Sequence, residues 1–462
     1  MLVLSRKVGA VVGLVAAGAT LFAVAAPASA DTGARTTDIV GVGSDTAQNI
    51  VDFVLSGAPG VAGGYNSGGN NHRAFNVFAT GDANGRAVFD GGCGTKSATL
   101  GLAPLCSSTA TGSPTSEPTS VVLRDGSVPV TRPNGSGAGL AALNADGVNA
   151  GSGATAVTGY QTLPGGSIQF ARASRAPKSS EEAACDTVAT TCGGLHTYRI
   201  ATDGFGIATE ASGSNAPTGL SIADLTSIYS CTGGGGAGGQ WRWSDLPGNS
   251  AGSTALIHPL IPQSGSGTRT FFSAVIGNTA DTYPACVRVV QEHDPTGIFL
   301  DPSPADAIEP FSQGKLGLIN GTSLPAGLGY FRNPGYSGTS FAQGAYTPGF
   351  LHLLSGAANA ADGGTAAGYN DPTRPIFIVL RQADVTATVG AANPFGADSP
   401  FGATYPAFQA GGTQTWAQTL FTTSTSFFAK SAQSSLFAAS GVTQAWKDCG
   451  LDMTENSNPN GC

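Results

Sequence analysis

The residues best suited to chemistry lie in Ile261-Pro262-Gln263-Ser264-Gly265-Ser266-Gly267-Thr268-Arg269. This stretch leaves an apolar run and opens an amphipathic segment carrying Phe271, Phe272, Val275 and Ile276. The pattern predicts a strand, a Gly/Ser loop and a helix start. Glycines let the main chain approach a ligand closely, and the first helical turn leaves N–H groups unpaired. The hydroxyls of Ser266 and Thr268 and the cation of Arg269 add donors at the same point, which suits a tetrahedral oxyanion. Ordinary helix capping explains one such loop equally well. The design recurs, however. Gly41-Val42-Gly43-Ser44-Asp45-Thr46 follows Ile39 and Val40, and Thr131-Arg132-Pro133-Asn134-Gly135-Ser136-Gly137 follows Val128 and Val130. Three such junctions are hard to attribute to capping alone, and three helix N-termini aimed at one spot would bind an anion strongly.

These loops need a scaffold, and a chain of 462 residues is long enough for two domains. Residues 1–30 read as a cleaved export signal, with Arg6 and Lys7 before the apolar Val8–Ala26 and the small residues Ala28-Ser29-Ala30 at the cleavage point. A transmembrane anchor is the rival reading of that run, and no other apolar run could span a membrane. No cysteine follows the cleavage point to take a lipid. The mature chain is therefore expected to start near Asp31, outside the cell and free of the membrane. Charged residues make up only 11% of the chain and the net charge is −8, so nucleic acid is not an expected partner. An anion site in such a protein must be made locally, from backbone dipoles and a few arginines. The eight cysteines (Cys93, Cys106, Cys185, Cys192, Cys231, Cys286, Cys449 and Cys462) suggest disulfides in an exported protein. Proximity favours pairing them in that order, and no Cys or His spacing fits zinc.

Along the chain, helices are expected at the first loop, at Ile222–Tyr229 and over Asp306–Phe311. Strands are expected at Ser167–Arg175, Leu316–Ile319 and Ile376–Leu380, with an extended crossing segment over Tyr198–Ile207. A hairpin is expected around Arg124-Asp125-Gly126. Residues 57–120 and 322–372 read as surface insertions rich in glycine and polar residues.

Taken in order, GVGSDTAQ at Gly41, TRPNGSGAG at Thr131, QFARASRAP at Gln169, LSIADLTSIY at Leu220, WRWSDL at Trp241 and SGSGTR at Ser264 make the chain resemble a known family. It is that of the phosphate-binding solute receptors of bacterial ABC transporters, especially secreted actinobacterial relatives. The resemblance covers most of the mature chain outside the insertions. It implies an α/β, two-lobed periplasmic-binding-protein-like (type II) fold with the ligand in the cleft. Lobe one would be 31–202 plus 373–462, and lobe two 203–372. By the same resemblance, Ser266, Gly267 and Thr268 match the family's lobe-two phosphate loop, Asp45 and Thr46 its first loop and Ser136 its second. Ser44, Gly137, Arg132, Arg172, Ser174, Arg175, Ser264 and Arg269 complete the candidate set. Inorganic phosphate is the implied ligand, an ABC permease the implied partner, and a monomer without cofactor or metal the implied form.

Two departures stand out. Pro262 occupies the place of the family's arginine before the Ser-Gly-Thr loop, and Arg269 could substitute from the other side. Arg175 stands where the family has a carboxylate that accepts the proton of hydrogen phosphate. Since an arginine only donates, Asp45 is expected to take over the acceptor role. The bland reading of Arg132, Arg172 and Arg175 is that of ion pairs within the protein.

Other motifs carry less. Gly248-Asn249-Ser250-Ala251-Gly252 has the spacing of a nucleophile elbow but lacks the strand before it and the helix after it. The five histidines show no metal-binding spacing. Three functions therefore compete: a secreted oxyanion receptor, a phosphoryl-transfer enzyme on the same scaffold, and a surface protein that has lost its ligand. The first is preferred, because no metal set or activated nucleophile is evident.

Overall fold

Ile39–Gly43 (β1) is buried throughout and carries no polar side chain, as expected for a strand covered on both faces. It runs parallel to Ala74–Asn76 (β2) on one side and to Phe170–Ala173 (β5) on the other. The computed structural model describes residues 34–454 and 462, apart from 59, 69, 71, 77–119, 125–126, 128–129, 132, 150–164, 187–190, 211–212, 218, 291, 294–295, 300, 321–350, 354–372 and 398. The expected export signal, Arg132, Cys93 and Cys106 and most of both expected insertions fall outside the described residues. The described part of the first insertion does more than decorate the surface, because β2 forms the edge of the main sheet. Ser120–Val121 (β3) and Val130–Thr131 (β4) form the expected hairpin.

The main sheet continues through Leu195–Glu210 (β6), His258–Pro262 (β7), Arg288–Val290 (β8), Ala307–Ser312 (β9) and Thr373–Arg381 (β11), in the order β2-β1-β5-β11-β6-β9-β7-β8. Leu351–Leu353 (β10) and Thr443–Leu451 (β12) also pair with β6. β6 is the long crossing element. Its residues 195–204 pair antiparallel with β11, and Phe205–Ala208 pair antiparallel with β9.

The apolar cores divide along the same line. Two clusters, around Phe170, Phe421 and Phe437 and around Leu140, Leu143 and Val379, use residues up to 201 and from 376 onward. Two others, around Trp243, Phe272 and Ile308 and around Leu260 and Phe311, lie wholly within 205–316. A smaller cluster of Phe53, Leu318 and Ala439 joins the two halves. The fold is thus two α/β lobes joined by crossing strands.

The helices are Asp45–Ser56 (α1), Ser136–Asn149 (α2), Ser179–Asp186 (α3), Ile222–Ser230 (α4), Gly267–Val275 (α5), Thr296–Phe299 (α6) and Gln313–Asn320 (α7) in the first three-quarters of the chain. One expected pair of elements is exchanged. Ala307–Ser312 is a strand and Gln313–Asn320 a helix, the reverse of the reading from sequence. Pro310 disfavours a helix interior, and all six residues of β9 are buried between β6 and β7. Three disulfides join Cys185 to Cys192, Cys231 to Cys286 and Cys449 to Cys462, as sequence proximity suggested. No helix among the described residues is long and apolar enough to cross a membrane.

Candidate functional site

The three Gly/Ser loops meet at the carboxyl ends of β1, β4 and β7. At Gly43 the chain turns with φ +114°, and a Cβ there would lie 2.5 Å from the Arg172 carbonyl, so only glycine fits. Ser44 then caps α1, accepting the Ala47 N–H at 3.4 Å. Ser266 caps α5 in the same way, accepting the Arg269 N–H at 3.0 Å. Capping is therefore real at both places, yet the loops also touch one another. Gly43 bridges to Asn134, and the Gly137 N–H donates to the Gly265 carbonyl at 3.0 Å. The Ser44 hydroxyl reaches that of Ser174 at 3.1 Å, Ser136 Oγ lies 3.3 Å from Ser174 Oγ, and the Ser174 N–H donates to Ser136 Oγ at 3.0 Å. Gly267 closes the group from the other lobe. A Cβ added to it would overlap Ser174 Oγ and lie 2.5 Å from Ser136 Oγ.

Beside this hydroxyl cluster, Thr46 of α1 and Thr268 of α5 face each other with their Oγ1 atoms 3.2 Å apart. Four residues that sequence reasoning missed surround them. Arg374, at the start of β11, donates to Thr268 Oγ1 at 2.7 Å and to Thr46 Oγ1 at 3.1 Å. The same guanidinium pairs with Asp203 on β6 at 3.2 Å, and both side chains are fully buried. Asp203 also accepts the Ser312 hydroxyl at 3.0 Å and the Gly314 N–H at 3.1 Å. Its burial raises its pKa against the opposing pull of Arg374.

His293 and Glu292 follow β8. Burial, then the charges of Arg374 and Lys315, hold His293 well below the ordinary histidine range, so the ring is neutral. The Ser312 N–H donates to His293 Nδ1 at 3.3 Å, which leaves the ring proton on Nε2. Nε2 then donates to Thr46 Oγ1 at 2.8 Å and lies 3.1 Å from Thr268 Oγ1. With donors arriving from Arg374 and His293, the Thr46 hydroxyl donates its own hydrogen bond to Glu292 Oε1 at 3.2 Å. Glu292 Oε1 also accepts the Thr268 N–H at 3.1 Å, one of the donors exposed by the start of α5. Glu292 Oε2 is buried and has no hydrogen-bond partner among the described residues.

The other candidates are placed differently. The Arg172 guanidinium is buried under the first loop and donates to the carbonyls of Gly41, Gly43 and Ser44. Arg175 pairs with Glu181 at 2.6 Å, and Arg269 with Asp281 at 2.8 Å while lying over the Tyr283 ring. These three hold the loops from behind. Ser264 is exposed at the turn. Asp45 is buried at the start of α1, where its charge acts on Lys315, whose pKa burial pushes down to about 8. Lys315 in turn reaches Asn49 of α1.

One signal could have found the missed pair. Glu292 and His293 leave a short apolar strand parallel to β7, and ligand sites in such sheets gather at the carboxyl ends of parallel strands. Asp203 and Arg374 offered no local signal, since each is one charge inside a strand.

Two α/β lobes crossed by shared strands, with helix N-termini meeting where the lobes touch, have the two-lobed architecture of the periplasmic-binding-protein (type 2) class. Residues 116–340 match the model of the PBP superfamily domain. No curated protein matches the sequence. Among solved structures, similarity extends to a putative phosphate ABC transporter substrate-binding protein with bound phosphate from Clostridium perfringens. It is 12% identical with a TM-score of 0.40, over 75% of this chain and 86% of that one. An ABC-type phosphate transport receptor from Vibrio cholerae is 15% identical with a TM-score of 0.36, over 75% and 87% of the two chains. A possible phosphate binding protein from Planctomyces limnophilus is 13% identical with a TM-score of 0.34, over 76% and 83%. Overlaps this partial identify no ligand for the present chain.

Proposed function

We propose that the protein is a secreted receptor for a tetrahedral oxyanion, inorganic phosphate, gripped between residues 31–202 plus 373–462 on one side and 203–372 on the other. The observation that carries this reading is the meeting of Ser44, Ser136 and Ser174 with Gly267 and Thr268, at the N-termini of three helices from two lobes. Backbone N–H groups and hydroxyls there can donate to several oxygens at once, and charge-assisted bonds of about 1.5–3 kcal/mol each supply micromolar affinity after desolvation. Arg374 takes the cation's place that was expected of Arg269, since it reaches the threonines of both lobes while Arg269 pairs with Asp281.

Choice of anion turns on an acceptor. A buried carboxylate accepts the proton of hydrogen phosphate but repels sulfate. Glu292 fits this role better than Asp45, because it already accepts from the Thr46 hydroxyl and the Thr268 N–H, one from each lobe. Export and delivery to an ABC permease complete the proposal. Calorimetric titration with phosphate, sulfate and arsenate tests it. Phosphate and arsenate should bind, sulfate should bind far more weakly, and Thr268→Ala should cost tenfold or more. No heat from any of the three anions would overturn the reading.

A further inference from the structure

Away from the cleft, three carboxylates meet where α3 and the turn after β12 flank the start of β6. Glu182 and Asp186 lie four residues apart on α3 and so share one face of the helix. Asp452 comes from the chain just beyond β12, and one carboxylate oxygen from each of the three residues lies within 4.8 Å of the others. Two disulfides hold the place: Cys185–Cys192 ties α3 to the chain entering β6, and Cys449–Cys462 closes the end of β12. Leu195 locks the two sides together. Its N–H donates to Glu182 Oε2 at 3.1 Å, and its carbonyl accepts the Asp452 N–H at 3.1 Å.

Acidic clusters are common without an ion, and exposed ones need none. Glu182 is different. It is only 4% exposed, and its Oε1 is buried with no hydrogen-bond partner. A buried carboxylate oxygen is normally satisfied by a donor or a cation. None of the three residues forms an ion pair with lysine or arginine among the described residues. The C-terminal end of α3, at Asp186, adds a further negative potential.

We propose that Glu182, Asp186 and Asp452 bind a divalent cation, calcium, which fastens the C-terminal segment to α3. All the donors are carboxylate oxygens, which select a hard cation over zinc or copper. Calcium sits about 2.3–2.6 Å from its oxygens and tolerates irregular geometry, so it can span this separation and complete its shell with water. Asp186 and Asp452 are exposed, which gives the ion a route in.

The test is titration of the full-length protein with calcium chloride after chelator treatment, followed by calorimetry and thermal unfolding, with magnesium and zinc alongside. Expected are one calcium per chain and a rise of several degrees in Tm, with weaker effects from magnesium and zinc. Asp186→Asn and Asp452→Asn alter exposed side chains and should leave the fold intact. Together they should abolish both the heat and the shift. Glu182→Gln should weaken calcium binding at least tenfold. The proposal fails if calcium gives neither heat nor a Tm shift in the wild-type chain, if the double variant responds like the wild type, or if zinc binds more tightly than calcium.

Discussion

His293 shows what burial does to one side chain. Its ring is neutral in the folded protein because charging it there would need desolvation beside Arg374 and Lys315. The unfolded chain returns histidine to about 6.5. Below that pH the unfolded state takes up a proton that the folded state refuses, so stability falls as pH drops and is recovered above it. Tm should decline between pH 7 and pH 5, and His293→Gln should flatten part of that decline. Glu292 bears on the proposed choice of anion. Replacing it with glutamine keeps the size but supplies an amide where an acceptor is needed. Glu292→Gln is expected to erase most of the preference for phosphate over sulfate, whereas Asp45→Asn should leave it largely intact. Competition calorimetry separates the two outcomes.

Among the elements, the start of α5 matters most, because it brings lobe two against the hydroxyls of lobe one. Gly267 permits that approach, and Gly267→Ala would push a methyl group into Ser174 Oγ. Holding the lobes apart should cost at least tenfold in anion affinity while leaving the urea midpoint almost unchanged, since each lobe keeps its own core. Gly43 behaves in the opposite way. Its backbone conformation is intrinsic to the β1–α1 turn, so Gly43→Ala should lower stability by about 1–3 kcal/mol.

At the level of the whole molecule, the Asp203–Arg374 pair lies where β6 and β11 cross between the lobes, and the same arginine reaches the threonine of each lobe. The pair therefore couples the crossing strands to the Gly/Ser loops. Removing one partner strands a buried charge, so Arg374→Leu should cost about 3–5 kcal/mol in chemical unfolding. The Cys231–Cys286 bond works within lobe two, closing a loop of 55 residues around the apolar core of Trp243 and Phe272. Its removal by paired serine substitution should cost about 2–5 kcal/mol and should act on lobe two first.

Much of this was legible without coordinates, and the reason is local. Apolar runs, glycines and hydroxyl residues at strand-to-helix junctions act within a few residues of themselves, so the three loops, α1, α4, α5, β6 and β11 could be placed from the chain alone. Disulfide partners close in sequence were legible for the same reason. The exchange of strand and helix around Pro310 was legible only in part, because the proline argued against a helix while burial between β6 and β7 decided for a strand. Nor could the partners of the arginines be read. Arg175 meets Glu181 and Arg269 meets Asp281 only once the backbone has turned, while Arg374 meets Thr46 across 328 residues. Which charges face one another is settled by chain closure, and only the assembled sheet brings Glu292, His293 and Arg374 to the loops that the sequence had already marked.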